Sequence, residues 1–265
     1  MKNKRVLITG KRGYISRHLQ QYLLEKHPHW TVETVSVRRQ LPENLMAYDT
    51  VVHAAGLVHQ TKKHIPLQHY LDVNTELTTR LAEECQKKWI RHFVFLSTMA
   101  VYSSNETVIT DQTIENPDTS YGKSKWEAEK NLLALDDYED RPMPIAIIRP
   151  PMVYGRGCPG NYSKLKALSQ FTPIFPYIEN SRSMISVAGL CQALNSIICE
   201  EADGIFHPQD SEYVCTSHMV EAMRRQEGKK TYLSPFLGKI VKAIPLPVFR
   251  KMFGDFVYEM YTEDE

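Results

Sequence analysis

The first half of the chain alternates short apolar runs with longer stretches in which apolar residues recur every three or four positions. Short apolar runs bounded by turn residues are typical of buried strands, and the longer period is typical of helices. Strands separated by helices imply βαβ units, a parallel sheet and right-handed crossovers. The predicted strands are Val6–Ile8, Val32–Val37, Val51–Gly56, Phe93–Leu96 and Ile145–Ile148, and the predicted helices are residues 13–26, 66–88 and 120–135.

The regular pattern ends near Pro150, after which proline and glycine become frequent. We therefore predict an α/β fold with a doubly wound parallel sheet in residues 1–150. Residues 151–265 are expected to form a small, irregular lobe that is partly interleaved with the sheet. Such a lobe commonly closes over a ligand at the carboxyl ends of the strands.

Composition limits the classes of partner. The 265 residues are 42% hydrophobic and 24% charged with a formal net charge of +1, which favours a folded core and excludes a strong single-sign field. We therefore expect no nucleic-acid partner. The chain shows no signal peptide and no apolar run of ~20 residues, so a cytoplasmic protein without a transmembrane segment is expected. Five cysteines without C-x-x-C spacing indicate free thiols and no metal site.

A glycine pair marks the first turn between a strand and a helix. Gly10 allows the tight turn, and Gly13 lets the backbone approach a diphosphate at the start of the helix. Free N–H groups and the helix dipole favour an anion at that point. Two glycines three positions apart are weak evidence alone, but their position predicts a nucleotide loop.

Tyr-x-x-x-Lys spacing places a phenol and an ammonium one turn apart on a helix. An ammonium beside a phenol lowers the pKa of the tyrosine, which makes it a usable acid or base. Tyr121 and Lys125 begin the helix that follows the strand ending at Thr98, so all three are expected at the carboxyl edge of the sheet. The spacing itself is not specific, because it occurs at Tyr22/Lys26, Tyr121/Lys125 and Tyr162/Lys166.

Five motifs in order give the chain a family resemblance. They are Thr9-Gly10-x-x-Gly13-Tyr14-Ile15, His53-Ala54-Ala55-Gly56, Ser97-Thr98-x-x-Val101-Tyr102, Tyr121-Gly122-x-Ser124-Lys125 and Arg149-Pro150-Pro151-x-Val153-Tyr154-Gly155. The set resembles the NAD-dependent epimerase/dehydratase family, the extended short-chain dehydrogenases with a Rossmann-like fold, over nearly the whole chain. Within it the chain looks most like the bacterial UDP-N-acetylhexosamine branch of surface polysaccharide synthesis, which includes 4-epimerases and 4-ketoreductases.

The resemblance implies a role for each matching residue. Tyr121 is the expected general acid/base at the sugar O4, Lys125 the residue that binds the nicotinamide ribose, and Thr98 a second hydrogen-bonding group on the same oxygen. Thr98, Asn161 and Arg182 are the expected substrate contacts, toward a UDP-linked sugar. The expected NAD(P) contacts are Gly10, Gly13, Tyr14, Ile15, Arg38, Arg39, Ala54, Ala55, Gly56, Asn74, Tyr121, Lys125 and Pro150.

The chain departs from the family pattern at several positions. Ser16 replaces the third glycine of the loop, and Arg38 and Arg39 replace the acid that holds the adenosine ribose. Guanidinium groups suit a 2′-phosphate, so either NAD or NADP is expected, with a slight preference for NADP. Only about a dozen residues separate the second predicted strand from Val51, which is too few for a further strand and its crossover. One strand of the usual sheet is therefore expected to be missing. Met152 stands where some relatives have a substrate-contacting asparagine.

The C-terminal part and the overall activity leave alternatives open. The chain ends soon after Gly254, so part of the substrate lobe is expected to be absent. The apolar, mildly basic tail Pro235–Phe256 either caps the lobe, packs on a partner subunit, or binds a membrane surface. The resemblance is compatible with a homodimer. A 4-epimerase and an NADPH-dependent 4-keto-sugar reductase are both expected activities, and a dinucleotide-binding regulator without catalysis is the alternative of another class.

Overall fold

A parallel sheet of six strands forms the centre of the protein, in the order β10-β6-β4-β3-β1-β2. The computed structural model describes residues 3–57, 65–136 and 143–260. The strands are β1 Arg5–Thr9, β2 Thr31–Val35, β3 Thr50–His53, β4 His92–Leu96, β5 Val108–Ile109, β6 Ile145–Ile148, β7 Met152–Tyr154, β8 Ile174–Pro176, β9 Met184–Ser186, β10 Gly204–Phe206, β11 Tyr232–Ser234 and β12 Val257–Tyr258. The helices are α1 Tyr14–Lys26, α2 Leu67–Tyr70, α3 Leu77–Lys87, α4 Ser120–Asp136, α5 Asn161–Phe171, α6 Val187–Glu200, α7 Thr216–Gln226, α8 Pro235–Ala243 and α9 Pro247–Phe253.

Helices cover both faces of the sheet because alternate strand residues point to opposite sides. On one side, Val6 and Ile8 of β1 belong to the apolar core that includes residues of α1 and α6. On the other side, Leu7 belongs to the core that includes Leu81 of α3 and Leu132 of α4. The predicted doubly wound, Rossmann-like α/β fold is confirmed, and its strand order reverses beside β1, between β2 and β3.

The shortened crossover after β2 is also present. Residues 36–49 contain a single short 3-10 helix, Leu45–Ala47, and no strand. β3 pairs directly with β1 from Val6–Thr50 to Thr9–His53, and β2 forms the edge of the sheet. The chain therefore crosses from β2 to β3 without the extra strand and helix that a longer connection would hold.

The predicted elements lie within a few residues of the observed ones, with one internal difference. The helix predicted over residues 66–88 contains a π-helical turn, Leu71–Glu76, between α2 and α3. Asn74 lies in this turn and is fully buried. Single π turns inside α-helices often mark functional sites, since the extra residue redirects a side chain.

Elements after residue 150 contribute both to the sheet and to a separate lobe. β10 pairs with β6 in the main sheet, and α6 packs against α1. The remaining strands form two-stranded pairs, β7 with β9, β8 with β11, and β12 with β5. A separate apolar core in this lobe is formed by α5, β8, α7 and α9, with Leu165, Phe175 and Phe253 among its buried residues. The division at residue 150 remains a prediction.

Candidate active site

A cleft of about 760 Å³ lies at the carboxyl ends of β1, β3, β4 and β6, between the sheet and the C-terminal lobe. It is the place where the two halves of a doubly wound sheet leave room for a ligand. The sequence-predicted residues that line it are Gly13, Tyr14, Ile15, Ala54, Ala55, Gly56, Thr98, Tyr121, Lys125, Pro150, Asn161 and Arg182. Four other predicted residues, Gly10, Arg38, Arg39 and Asn74, are not part of its wall.

The loop between β1 and α1 is built for close approach of a ligand to its backbone. Gly10 has φ +87°, a conformation that side chains rarely adopt, and a Cβ there would lie 3.2 Å from the backbone of Ala55. Gly13 is the N-cap of α1 and has no side chain with which to cap it. Ser16, at the third glycine position, is buried and donates a hydrogen bond of 3.0 Å to the Thr9 carbonyl. This bond ties the first turn of α1 to the end of β1.

A chain of buried hydrogen bonds fixes the loop after β3. The Ala55 N–H donates to Thr9 Oγ1 at 3.1 Å, and Thr9 Oγ1 lies 2.8 Å from His53 Nδ1. On the other side, His53 Nε2 lies 3.0 Å from the hydroxyl of Thr78, which donates to the Asn74 carbonyl at 2.6 Å. These directions assign the Nε2–H tautomer to His53. Burial, with a contribution from Lys125, lowers the pKa of His53 to about 3, so the ring stays neutral.

Asn74 connects this loop to the helix that carries the tyrosine. Its amide accepts from the Leu57 N–H at 2.6 Å and donates to the Ser124 hydroxyl at 3.0 Å. Ser124 in turn donates to the Tyr121 carbonyl at 2.8 Å. Asn74 therefore supports the site from behind and does not form its surface, whereas the resemblance implied a contact with NAD(P).

Thr98 and Tyr121 meet across the cleft. Thr98 ends the loop after β4, and its hydroxyl accepts from the Ala100 N–H at 3.1 Å and hydrogen-bonds Tyr121. Gly122 follows Tyr121 at the first turn of α4, where a Cβ would overlap the carbonyl oxygen of Ala100. The absence of a side chain at Gly122 lets α4 begin directly against the Thr98 turn.

Burial dominates the electrostatics of the tyrosine and the lysine. It raises the pKa of Tyr121 to about 12, opposed in part by the hydrogen bond with Thr98. It lowers the pKa of Lys125 to about 7, opposed by Glu129, and the ammonium stacks 4.0 Å from the centre of the Phe95 ring. The sequence-based prediction that Lys125 lowers the pKa of Tyr121 is therefore wrong for the protein alone. A lysine with a pKa of about 7 is only partly charged at neutral pH, so it gives the phenolate little support.

A buried charge network beneath Lys125 was missed by the sequence analysis. Glu129 is fully buried, accepts from the Ser97 hydroxyl, and pairs with Arg149 at 2.6 Å. Arg149 also pairs with Glu115 at 2.7 Å. Burial raises the pKa of Glu129, and Arg149 opposes this rise. The sequence does contain one indication of this network, because Glu129 follows Lys125 by one helical turn, on the face of α4 that packs on the sheet.

The C-terminal lobe supplies the substrate side of the cleft. Asn161 is exposed at the first position of α5, after the left-handed Gly160. Arg182 lies over the Phe256 ring at 5.9 Å and donates to the Gly254 carbonyl at 2.8 Å. One N–H group of Arg182, a predicted substrate contact, is therefore already hydrogen-bonded to the protein backbone. The wall formed by Arg250, Lys251, Gly254, Asp255 and Phe256 was not predicted as part of the site.

Arg38 and Arg39 lie in a bend after the end of β2 and are exposed. They stand at the edge of the sheet next to the glycine loop, since Gly10 and Lys11 both donate backbone hydrogen bonds to the carbonyl of Val35 in β2.

Residues 3–57, 65–136 and 143–260 hold no cluster of three or more His, Cys, Asp or Glu side chains suited to a metal ion. Over those same ranges, each helix is too short or too polar to cross a bilayer.

Comparison with known proteins gives consistent matches. The sequence model described as the NAD dependent epimerase/dehydratase family matches residues 6–173, more than half of the chain. A UDP-glucose 4-epimerase of Vibrio cholerae is 28% identical over 95% of this chain and 83% of its own length. An N-acetyl-α-D-glucosaminyl-diphospho-ditrans,octacis-undecaprenol 4-epimerase of Escherichia coli O157:H7 is 26% identical over 63% of this chain and 54% of its own.

The fold has many solved counterparts. A dTDP-4-dehydrorhamnose reductase from Bacillus anthracis, solved in complex with NADP, superposes with a TM-score of 0.70 and 16% identity, covering 88% of this chain and 83% of the other. At that identity the match establishes the fold alone.

Proposed function

The chain belongs to the NAD-dependent epimerase/dehydratase family, and from this premise we propose that it is an NAD(P)-dependent oxidoreductase acting at C4 of a UDP-linked hexose or N-acetylhexosamine. One observation carries the proposal. Thr98, Tyr121 and Lys125 line the same cleft as the glycine loop at Gly13. A dinucleotide held by that loop and a sugar held by the lobe can therefore meet at the tyrosine.

The residues present fit a dinucleotide. The positive φ of Gly10 and the bare N-terminus of α1 at Gly13 offer backbone N–H groups to a diphosphate, and a Cβ at Gly10 would crowd the loop. Lys125 is the residue proposed to bind the nicotinamide ribose, with Ala55 and Gly56 beside it. When bound, the nicotinamide ring accepts or donates the hydride exchanged with C4.

The protein residues then handle the proton at O4. The phenol of Tyr121 is neutral at physiological pH because burial raises its pKa to about 12. The hydrogen bond from Thr98 lowers the pKa of Tyr121 in part, so it favours the ionised form of the phenol. In an epimerase the pKa of Tyr121 would have to fall when cofactor and substrate bind, because the residue acts there as a phenolate that accepts the O4 proton as C4 is oxidised to a ketone. After the ketone has turned over in the site, Tyr121 returns the proton to O4.

A 4-keto-sugar reductase of the same family is the second candidate. In that reaction Tyr121 donates its proton to the 4-keto oxygen, which suits a phenol held neutral by burial. Arg38 and Arg39, exposed after β2, favour the 2′-phosphate of NADPH. The epimerase remains the first candidate because the Vibrio cholerae relative that matches 95% of this chain is named as one.

The substrate side of the proposal rests on the lobe. Asn161 and Arg182 are proposed to contact the diphosphate of the substrate, and both line the cleft. We propose a role in surface polysaccharide precursor synthesis. A cytoplasmic location and a homodimer are part of the same proposal.

Product analysis by NMR tests the function. The protein is incubated with UDP-glucose and UDP-N-acetylglucosamine in the presence of NAD⁺, and separately with a 4-keto nucleotide sugar and NADPH. Interconversion of C4 epimers without net change in cofactor supports the epimerase, and consumption of NADPH supports the reductase. Dinucleotide binding measured by calorimetry, without turnover on any of these substrates, favours the non-catalytic regulator.

Two tyrosine variants make the test specific. Tyr121→Phe is expected to reduce turnover by about 100- to 10,000-fold, the usual contribution of a general acid/base. Tyr22→Phe is the matched control, since Tyr22 has the same spacing to Lys26 but lies in α1, where it packs against the apolar core and does not line the cleft. Full activity in Tyr121→Phe, or equal losses in both variants, contradicts the proposed mechanism.

A further inference from the structure

The outer surface of α8 and of the turn into α9 is apolar and basic, and the catalytic cleft does not explain this composition. This α8–α9 face consists of Phe236, Lys239, Ile240, Lys242, Ile244, Leu246 and Val248, all exposed. The Phe236 side chain is 71% exposed and that of Val248 is 55% exposed. Single exposed apolar residues are ordinary on protein surfaces, but five within thirteen positions form a patch.

The fold of the lobe does not require these outer residues. The opposite side of the same helices already packs on the lobe core, through Val241, Phe249, Met252 and Phe253. Gly238 brings the backbone of α8 against the carbonyl of Tyr177, where a Cβ would overlap that oxygen. The helix pair therefore has two apolar sides, one buried in the lobe and one exposed.

The charge of the segment selects the kind of partner. Residues 235–254 contain four basic side chains, Lys239, Lys242, Arg250 and Lys251, and no aspartate or glutamate, in a chain whose net charge is only +1. An apolar face rimmed by basic residues is typical of helices that lie in the interface of an anionic bilayer. A second copy of the chain is a poorer occupant, because a two-fold interface on this face would bring Lys239 and Lys242 of one copy against the same two lysines of the other.

We propose that the α8–α9 face docks on a lipid bilayer with anionic headgroups. The apolar side chains enter the interface, and Lys239 and Lys242 contact the headgroup phosphates. A groove of about 430 Å³ lies beside this face, and two of its residues, Arg250 and Gly254, also line the catalytic cleft. Docking therefore brings the C-terminal wall of the cleft next to the headgroup layer. The proposal is independent of the reaction catalysed in that cleft.

Vesicle co-sedimentation of the purified protein tests the docking. Vesicles of phosphatidylcholine alone are compared with vesicles of equal parts phosphatidylcholine and phosphatidylglycerol, at low and high salt. Binding is expected only to the anionic vesicles and is expected to weaken as salt is added. Lys239→Gln/Lys242→Gln is expected to weaken binding about 25-fold, at roughly fivefold for each charge. Phe236→Ser/Ile240→Ser is expected to weaken it on the order of 100-fold.

A matched pair controls for charge alone. Lys87→Gln/Lys88→Gln makes the same change in net charge at the exposed end of α3 and is expected to leave vesicle binding unaltered. None of the substituted residues lines the catalytic cleft. Turnover on a freely diffusing substrate is therefore measured separately from vesicle binding. Equal binding to neutral vesicles, or equal weakening in the control pair, overturns the proposal. So does a homodimer in sedimentation equilibrium that Phe236→Ser/Ile240→Ser dissociates.

Discussion

Replacement of Lys125 by methionine tests how burial sets the properties of the site. The Lys125 side chain is 3% exposed and lies over the Phe95 ring, with Glu129 one helical turn away. Methionine has similar length and no charge, so it keeps the packing and removes the cost of a buried ammonium. We expect Lys125→Met to abolish turnover and, at neutral pH, to make the protein more stable.

The magnitude follows from the pKa of Lys125. Burial lowers it from 10.5 to about 7, which at about 1.4 kcal/mol per pKa unit corresponds to roughly 5 kcal/mol, and roughly 4 kcal/mol of this applies at pH 7, where half of the folded chains still carry the proton. The contact of the ammonium with the Phe95 ring offsets about 1–2 kcal/mol of this desolvation cost. Desolvation is therefore the larger effect, and the free energy of unfolding is expected to rise by about 2–3 kcal/mol in Lys125→Met.

The stability difference between Lys125→Met and the wild type is expected to depend on pH. Between pH 7 and 10.5 the unfolded chain keeps the lysine proton that the folded chain has released, so raising the pH stabilises the wild type. The methionine variant lacks this dependence. Its advantage is therefore greatest near and below pH 7 and shrinks as the pH rises above 7, by at most about 1.4 kcal/mol per pH unit.

Urea unfolding without added nucleotide at pH 7, 8 and 9, extrapolated linearly to zero denaturant, measures the difference in the free energy of unfolding. Lys123→Met on the same helix is the control, because Lys123 is exposed and its replacement is expected to change stability by less than about 0.5 kcal/mol. A Lys125→Met protein that is less stable than the wild type at pH 7 refutes the reasoning. An advantage that stays constant from pH 7 to pH 9 does so as well.

Three further predictions concern the loop, the helix start and the buried network. Arg38→Ser/Arg39→Ser is expected to weaken NADPH binding about tenfold or more and to leave NADH binding unchanged in fluorescence titrations; parallel losses would argue against a 2′-phosphate contact. Gly122→Ala is expected to cost about 2–3 kcal/mol in urea unfolding and to lower turnover, since its Cβ overlaps a backbone carbonyl. Glu129→Gln leaves Arg149 less well paired at a buried site, so a loss of about 3 kcal/mol or more is expected, and a neutral result would show that Glu115 alone satisfies the arginine.

Much of the site was accessible from sequence because the relevant signals are local. The glycine spacing at Gly10 and Gly13 reflects the backbone geometry of one turn, and the alternation of strand and helix follows from hydrophobic periodicity. Strand order then places the ends of β1, β3 and β4 at one edge, which favoured Tyr121 over the other two Tyr-x-x-x-Lys pairs. The short connection before Val51 likewise showed from its length alone that one strand was missing.

The sequence by itself determined the fold class, the position of the glycine loop and the expected catalytic group. The tertiary structure decided what depends on burial and on contacts between distant segments. It showed that desolvation outweighs the neighbouring charge at Tyr121 and Lys125, that Glu129 and Arg149 form a buried pair, and that the segment near Gly254 closes the cleft. A pKa depends on the whole environment of a group, and a buried pair joins positions 20 residues apart in the chain, so neither is encoded in local spacing.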